Sequence, residues 1–265
     1  MATLVCFHAH PDDETTSTGG VMAKAAAEGH RVVLVVATKG EHGSVPEGLL
    51  AEGEPLWQRR MAELAASAEV LGVSRVEFLG YVDSGMIDTP ENDAPESFWR
   101  ADVEEAAGRL AAILEDEAAD VVTIYDDHGN YGHPDHIQIY RVGRRAAALA
   151  GVDRVYQATM NRDQILRGLD QMREEMAAAG LDPSELPDFD DSFGSSEAQI
   201  TAAVDVSAFV DVKRKAMACH ASQAVDIDFF MAMSPEVFAS AFGTEYYIRD
   251  GQGPGVTEVD LMAGL

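Results

Sequence analysis

The sequence predicts an α/β protein with a Rossmann-like, mostly parallel, twisted sheet that carries helices on both faces. Short β-branched runs alternate with longer, Ala-rich segments of helical period, and this succession requires parallel strands joined by crossover helices. A length of 265 residues suits one sizeable domain, so we expect a single domain over residues 1–265. Long loops rich in Gly, Pro, Ser and Asp follow two of the runs, which is typical of the ligand-binding edge of such sheets.

The elements follow from these runs in chain order. Strands are predicted at residues 3–8, 31–38, 75–80, 120–125 and 154–160, with a late strand at 244–249. Helices are predicted at residues 19–29, 55–71, 97–119 and 134–150, and beyond the last long loop at 207–223. Gly29 and Gly72 mark the ends of the first two helices, because glycine accepts the left-handed conformation that closes a helix. The loop at 180–198 is predicted to be either a lid or a flexible segment.

Composition narrows the classes of partner. Nineteen basic residues against 46 acidic ones give a formal charge of −27, which argues against nucleic acid or an anionic membrane. Two cysteines cannot form a disulfide framework and favour a reducing, cytoplasmic location. The N-terminus shows no basic leader, and no run of about 18 apolar residues occurs, so neither a signal peptide nor a membrane span is expected. A homo-oligomer is left open.

Two clusters of ionisable residues follow two predicted strands. The first strand runs into His10-Pro11-Asp12-Asp13-Glu14, and the fourth is followed by a loop that ends in His133-Pro134-Asp135-His136. Pro134 suits the first helical position, which places His133 near the N-cap and His136 one turn further on. If the first and fourth strands are neighbours, both clusters lie at one edge of the sheet.

These clusters can supply the ligands of a catalytic metal. A divalent ion needs two or three imidazoles and a carboxylate with one position left open, and His10, Asp13 and His136 offer such a set. We expect Zn²⁺, although Fe²⁺ or another divalent transition metal could use the same ligands. The pattern His-x-Asp with a distant His also occurs in non-haem iron oxygenases, but that family uses β-barrels, and this chain is predicted to be α/β.

The neighbouring residues suit acid–base chemistry. The side chains of the adjacent residues Asp12 and Asp13 cannot both point towards one small ion. The Asp12 carboxylate is therefore left beside the metal, where it can act as a general base towards water. His133, held by the nearby Asp135, is expected to stabilise an oxyanion and to pass a proton to a leaving amine.

The two clusters together resemble the PIG-L/LmbE-like deacetylases, zinc-dependent enzymes that remove N-acetyl groups from amino sugars. The resemblance continues at Arg60 and Glu63, at residues 80–86 (GYVDSGM) and from Lys215 through residues 220–223 (HASQ). It therefore covers most of the chain up to about residue 223. It implies the same ligands, the same base, and His133 as the acid or oxyanion stabiliser.

The resemblance also implies three further site residues and leaves the substrate open. Tyr131 matches a tyrosine that can swing over the reacting carbonyl, while Arg60 and Asp83 match positions that hold hydroxyls of the sugar or inositol. Mycothiol S-conjugate amidases of this family carry a Lys where this chain has Ser17, so a GlcNAc-type amide is favoured. The alternatives are such an amidase, or a non-catalytic sugar- or metal-binding protein on the same fold.

Overall fold

The computed structural model describes residues 1–180, 182, 184, 186, 188–190 and 192–265. Its strands are β1 (Thr3–His8), β2 (Arg31–Val36), β3 (Arg75–Phe78), β4 (Val121–Tyr125), β5 (Arg154–Thr159), β6 (Ala202–Asp205) and β7 (Thr244–Arg249). They form one sheet in the order β3-β2-β1-β4-β5-β7-β6. Strands β1 to β5 are parallel, and β7 is antiparallel to both of its neighbours. The predicted, mostly parallel α/β fold is confirmed.

The helices lie between and after these strands. They are α1 (Asp13–Ser17), α2 (Gly19–Ala27), α3 (Leu56–Leu71), α4 (Val103–Asp116), α5 (Gly129–Gly132), α6 (Pro134–Ala150), α7 (Arg162–Ala178), α8 (Val210–Met217), α9 (Ala224–Met231) and α10 (Pro235–Phe242). Helix α4 packs on α6, while α2, α3 and α8 pack with one another. No helix within the described parts of the chain is long and apolar enough to cross a membrane.

Strands β1 and β4 are neighbours in the sheet. This was the condition for the two clusters of ionisable residues to lie at one edge. Leu4 pairs with Val121 and Cys6 with Thr123, and every residue of both strands is buried. Because the pairing is parallel, the two carboxyl ends open on the same edge of the sheet. The order of strands reverses between β1 and β4, and open α/β sheets bind ligands at such a point.

Two predicted helices differ from the observed ones. The helix predicted at 97–119 begins only at Val103, because Asp102 caps it by accepting the backbone N–H of Glu105 at 3.0 Å. The helix predicted at 207–223 is broken into a 3₁₀ turn, α8 and a second 3₁₀ turn, Ala221–Gln223. The break turns the side chains of His220 and Ser222 into the interior, where both are fully buried.

The loop at 180–198, predicted to be either a lid or a flexible segment, is described only in part, since positions 181, 183, 185, 187 and 191 lie outside the described residues. Its last part packs near the second cluster. Gly194 donates its backbone N–H to the carbonyl of Asn130 at 2.7 Å, and His128 Nε2 lies 3.0 Å from the carbonyl of Gly194. A lid role stays a prediction.

Candidate active site

The structure brings the two clusters together at the carboxyl edge of β1 and β4. His10 Nδ1 lies 3.4 Å from Asp13 Oδ2, and His136 Nε2 lies 3.4 Å from Asp13 Oδ1. One donor atom from each of the three residues lies within 4.8 Å of the others. Among the described residues, neither ring nitrogen of His136 has a hydrogen-bond partner, although both are buried. A buried imidazole without a partner beside a carboxylate is the environment that a divalent cation would complete.

The backbone around these residues fixes their side chains. Asp13 Oδ2 accepts the backbone N–H of His10 at 2.8 Å, and the ring of Tyr125 at the end of β4 packs 4.5 Å from that of His136. Pro134 occupies the first turn of α6, and His133 caps the helix, as the sequence predicts. Burial opposes ionisation of Asp13, but the facing imidazoles of His136 and His10 hold the pKa of its carboxyl well below the usual range. Asp13 is therefore an anion, ready to bind a cation.

The carboxylate of Asp135 contacts other residues than the one that the sequence suggested. Its carboxylate does not hold the imidazole of His133: Oδ2 lies 3.1 Å from His10 Nε2 and accepts the backbone N–H of Ser84 at 2.9 Å. The Ser84 hydroxyl donates to the other oxygen, and Asp135 is fully buried. Asp135 therefore contacts His133 only through its backbone N–H, which His133 Nδ1 accepts at 3.1 Å. Asp135 instead orients His10 through the nitrogen that faces away from Asp13, as carboxylates behind metal-binding histidines do.

The imidazole of His133 is held by the backbone of Asp135. Its Nδ1 accepts the N–H of Asp135 at 3.1 Å, so the neutral ring carries its proton on Nε2. Burial, together with the neighbouring imidazoles of His10 and His136, lowers the pKa of His133 to about 2. The ring lies 4.7 Å from that of His10 and 5.0 Å from that of His136. This geometry suits a neutral hydrogen-bond donor better than a protonated acid.

Asp12 has an unusual backbone. Its φ of 116° is positive, a conformation that costs a non-glycine residue about 1–3 kcal/mol and that clusters at functional sites. Burial raises the pKa of its carboxyl to about 6, although the guanidinium of Arg60 opposes this shift. Arg60 Nη2 lies 3.2 Å from Asp12 Oδ1. A carboxyl with a pKa near neutrality that stays next to the donor set suits a general base.

The three further site residues that the resemblance implies lie around the donor set in different ways. Arg60 is buried, and its guanidinium donates to the carbonyls of Pro11 at 2.5 Å and Gly40 at 3.0 Å, so it holds the loop that carries Asp12. Asp83 is buried with Oδ1 3.5 Å from His10 Nε2. Tyr131 is exposed over the site, with its ring 5.0 Å from that of His136.

Asp83 also belongs to a second possible donor set, with His10 and His133. Its carboxylate accepts the backbone N–H of Gly85 at 2.8 Å and of His42 at 3.1 Å. Burial opposes ionisation, yet the facing His10 and these N–H groups keep the pKa of Asp83 well below its usual range. Asp83 therefore adds a negative charge to the candidate metal centre.

Sequence reasoning missed two residues that support the site. Ser84 holds Asp135 through its backbone and hydroxyl, and its signal in the sequence was its place in the segment at residues 80–86. His220 lies with Nε2 2.7 Å from Glu14 Oε1. In the sequence, His220 was indicated by the HASQ segment at residues 220–223. The contact of this segment with the first cluster depends on the break after α8.

Fold and site together define a doubly wound α/β protein with a candidate metal centre where the strand order reverses. Residues 5–147 match the family model described as "PIG-L: GlcNAc-PI de-N-acetylase". A relative from Acidothermus cellulolyticus, named 1D-myo-inositol 2-acetamido-2-deoxy-alpha-D-glucopyranoside deacetylase, is 44% identical over 290 residues, covering 100% of this chain and 96% of the relative. The chain belongs to the PIG-L family.

Solved structures share the fold. An N,N'-diacetylchitobiose deacetylase from Pyrococcus horikoshii superposes with a TM-score of 0.59 at 23% identity, over 93% of this chain and 83% of that one. A 4-carboxy-2-hydroxymuconate hydratase from Pseudomonas putida gives 0.58 at 19% identity, over 95% of this chain and 97% of that one. Since the second is named a hydratase, the fold alone does not decide the reaction.

Proposed function

We propose that the protein is a metal-dependent hydrolase that removes the N-acetyl group from 1D-myo-inositol 2-acetamido-2-deoxy-α-D-glucopyranoside, a GlcNAc-containing small molecule. The observation that carries this proposal is the donor set of His10, Asp13 and His136, which Asp12 adjoins as the residue before Asp13. The full-length likeness to a relative named for this activity supports the choice of substrate.

The residues fit a bound divalent metal, and we propose Zn²⁺ held by His10, Asp13 and His136. Two imidazoles and one carboxylate are a common ligand set of catalytic zinc, and they leave a position open. Such an ion, when bound, acts as a Lewis acid on the substrate carbonyl and makes water more acidic. Fe²⁺ would accept the same ligands.

Three side-chain roles follow for amide hydrolysis. Asp12 takes a proton from the attacking water, whose oxygen forms a bond to the acetyl carbon. His133 donates a hydrogen bond through Nε2 to the oxyanion that develops on the carbonyl oxygen. When the C–N bond breaks, the proton held by Asp12 passes to the leaving nitrogen, which gives acetate and a free amine. Asp135 takes no part in these proton transfers; it holds His10.

The sugar would bind on the open side of the site. A cavity of about 460 Å³ is lined by Tyr131, the stacked rings of Phe189 and Phe193, and the carboxylates of Asp188 and Asp190. Flat aromatic surfaces beside hydrogen-bond acceptors suit a polyhydroxylated ring. We propose that Tyr131 reaches over the reacting carbonyl and that Asp83 contacts a sugar hydroxyl.

Release of acetate by the zinc-reconstituted protein tests the proposal. The named inositol glucosaminide should be hydrolysed, and a parallel assay with a mycothiol S-conjugate tests the amidase alternative. Faster cleavage of the conjugate would replace the proposed substrate. If neither amide is cleaved while zinc and sugar still bind, the protein is a binding protein on the same fold.

A further inference from the structure

A buried network links Asp12 to the HASQ segment and plays no part in the roles assigned so far. Glu14 follows the metal ligand Asp13, and its side chain is fully buried. One carboxylate oxygen, Oε2, accepts the backbone N–H of Asp12 at 2.8 Å. The other, Oε1, accepts from the Ser67 hydroxyl at 2.5 Å and lies 2.7 Å from His220 Nε2. Glu14 therefore connects the backbone of Asp12 to α3 and to the segment after α8.

The Asp12 peptide needs such support. Its φ of 116° is strained for a residue with a side chain, and strain of this kind persists only where the surroundings impose it. The bond from Asp12 N–H to Glu14 and the bond from Arg60 to the carbonyl of Pro11 both fix the peptide unit before the Asp12 Cα. On the other side, Thr15 donates its backbone N–H and its hydroxyl to the Asp12 carbonyl at 2.9 and 2.8 Å.

The far side of the network is itself anchored. Ser222 donates its backbone N–H and its hydroxyl to the carboxylate of Glu63, at 2.9 and 2.5 Å. His220 is fully buried, and within the described residues its Nδ1 has no hydrogen-bond partner. The imidazole therefore faces Glu14 alone among hydrogen-bonding groups, which makes support of that carboxylate its evident role.

We propose that Glu14 and His220 are positioning residues that hold the Asp12 backbone in its left-handed conformation and thereby aim the Asp12 carboxylate at the attacking water. This inference rests on the proposed function, since it concerns the base of that reaction. Both oxygens of Glu14 are engaged, because Oε2 accepts the Asp12 N–H while Oε1 accepts the Ser67 hydroxyl and lies 2.7 Å from His220 Nε2. An amide at this position can accept at only one end, so one side of the network would be lost.

The decisive variant is Glu14→Gln in the zinc-reconstituted 265-residue chain. We expect kcat to fall about 10–100-fold, as for other residues that orient a site from behind, with KM and zinc content within about threefold of wild type. Hydrogen exchange of the Asp12 amide should be faster in this variant. A kcat within twofold of wild type, or a loss that follows zinc content, would overturn the proposal.

Glu245→Gln is the matched control. Glu245 is also buried, accepts the backbone N–H groups of Gly20 and Val21 at 2.7 and 2.9 Å, and pairs with Lys213 at 2.6 Å. It should lose stability with kcat retained, so an equal loss of kcat in both variants would mean a merely structural effect.

A second pair of variants decides the matter if Glu14→Gln does not fold. His220→Gln keeps a donor towards Glu14, whereas His220→Leu removes it, so the first should retain more kcat than the second. Equal kcat in both would overturn the role of His220. The Asp12 amide exchange needs no substrate. It therefore still tests the positioning role if the wild-type protein releases no acetate and the proposed function fails.

Discussion

Replacing Asp135 with asparagine separates the role that the structure gives this residue from the role that the sequence suggested. The geometry predicts that the backbone N–H of Ser84 keeps the amide oxygen in place of Oδ2, where it still faces His10 Nε2. The shape of the site is thus retained, and the change removes a buried negative charge behind a metal-binding imidazole. Asp135→Asn should therefore weaken zinc binding.

The magnitude follows from the bonds that lose their charge. A hydrogen bond to a charged group contributes about 1.5–3 kcal/mol, roughly twice the value for a neutral pair. Only the bond from His10 Nε2 bears on zinc binding, because the Ser84 bond is the same with and without the ion, so the loss is about 0.7–1.5 kcal/mol. At about 1.4 kcal/mol per factor of ten, zinc affinity should fall about 3–10-fold.

The assay is a competition between the protein and a chromophoric chelator for zinc, followed by kcat at saturating zinc. We expect weaker binding, with kcat largely recovered once the site is filled. Asp127→Asn is a suitable control, since Asp127 is exposed and its Oδ1 lies 2.9 Å from His128 Nδ1. Unchanged zinc affinity combined with a low kcat would refute the reasoning and restore Asp135 as a partner of His133.

Three other predictions follow from single contacts. Asp12→Asn should keep zinc while turnover falls at least about 100-fold; acetate release with a measured zinc content checks this, and unchanged turnover contradicts the base. Hydrogen bonds from Arg31 chiefly lower the pKa of Glu117 to about 2, below its ordinary 4.5, so its contribution is full above about pH 4.5 and is lost as the pH falls towards 2. Glu117→Gln should cost about 1–2 kcal/mol of unfolding free energy near neutrality, and the difference from wild type in urea titrations should vanish near pH 2; a constant difference would exclude this cause. Gly72→Ala should destabilise more than Gly151→Ala, because both positions have positive φ but only at Gly72 would the new Cβ meet a neighbour, at 2.8 Å; equal melting temperatures would contradict the clash.

The fold and the metal donor set could be predicted from the sequence because their signals are local. β-Branched runs and Ala-rich segments gave the parallel strands, and β1, α6 and β7 match the predicted bounds. The first cluster follows β1 and the second forms the N-cap and first turn of α6, so the pairing of β1 with β4 was enough to bring His10 and His136 together.

The expectations that differ from the structure depend on contacts between distant segments. The side chain of Asp135 points to His10, because Ser84 from the loop after β3 fixes it there. Nothing near Asp135 in the sequence reports that contact. His220 likewise reaches Glu14 only because the helix predicted at 207–223 breaks after α8. The roles of the site residues and the single domain over residues 1–265 stay predictions.

The adjacency of β1 and β4 also bears on the moment at which the protein can first capture its ion. His10 and Asp13 come early in synthesis, but His136 belongs to α6, and the sheet edge closes only after β4 has paired with β1. A nascent chain that still lacks these later segments has two of the three donors and no cavity to keep water away. Tight capture of the ion should therefore follow the assembly of the central sheet and cannot guide it.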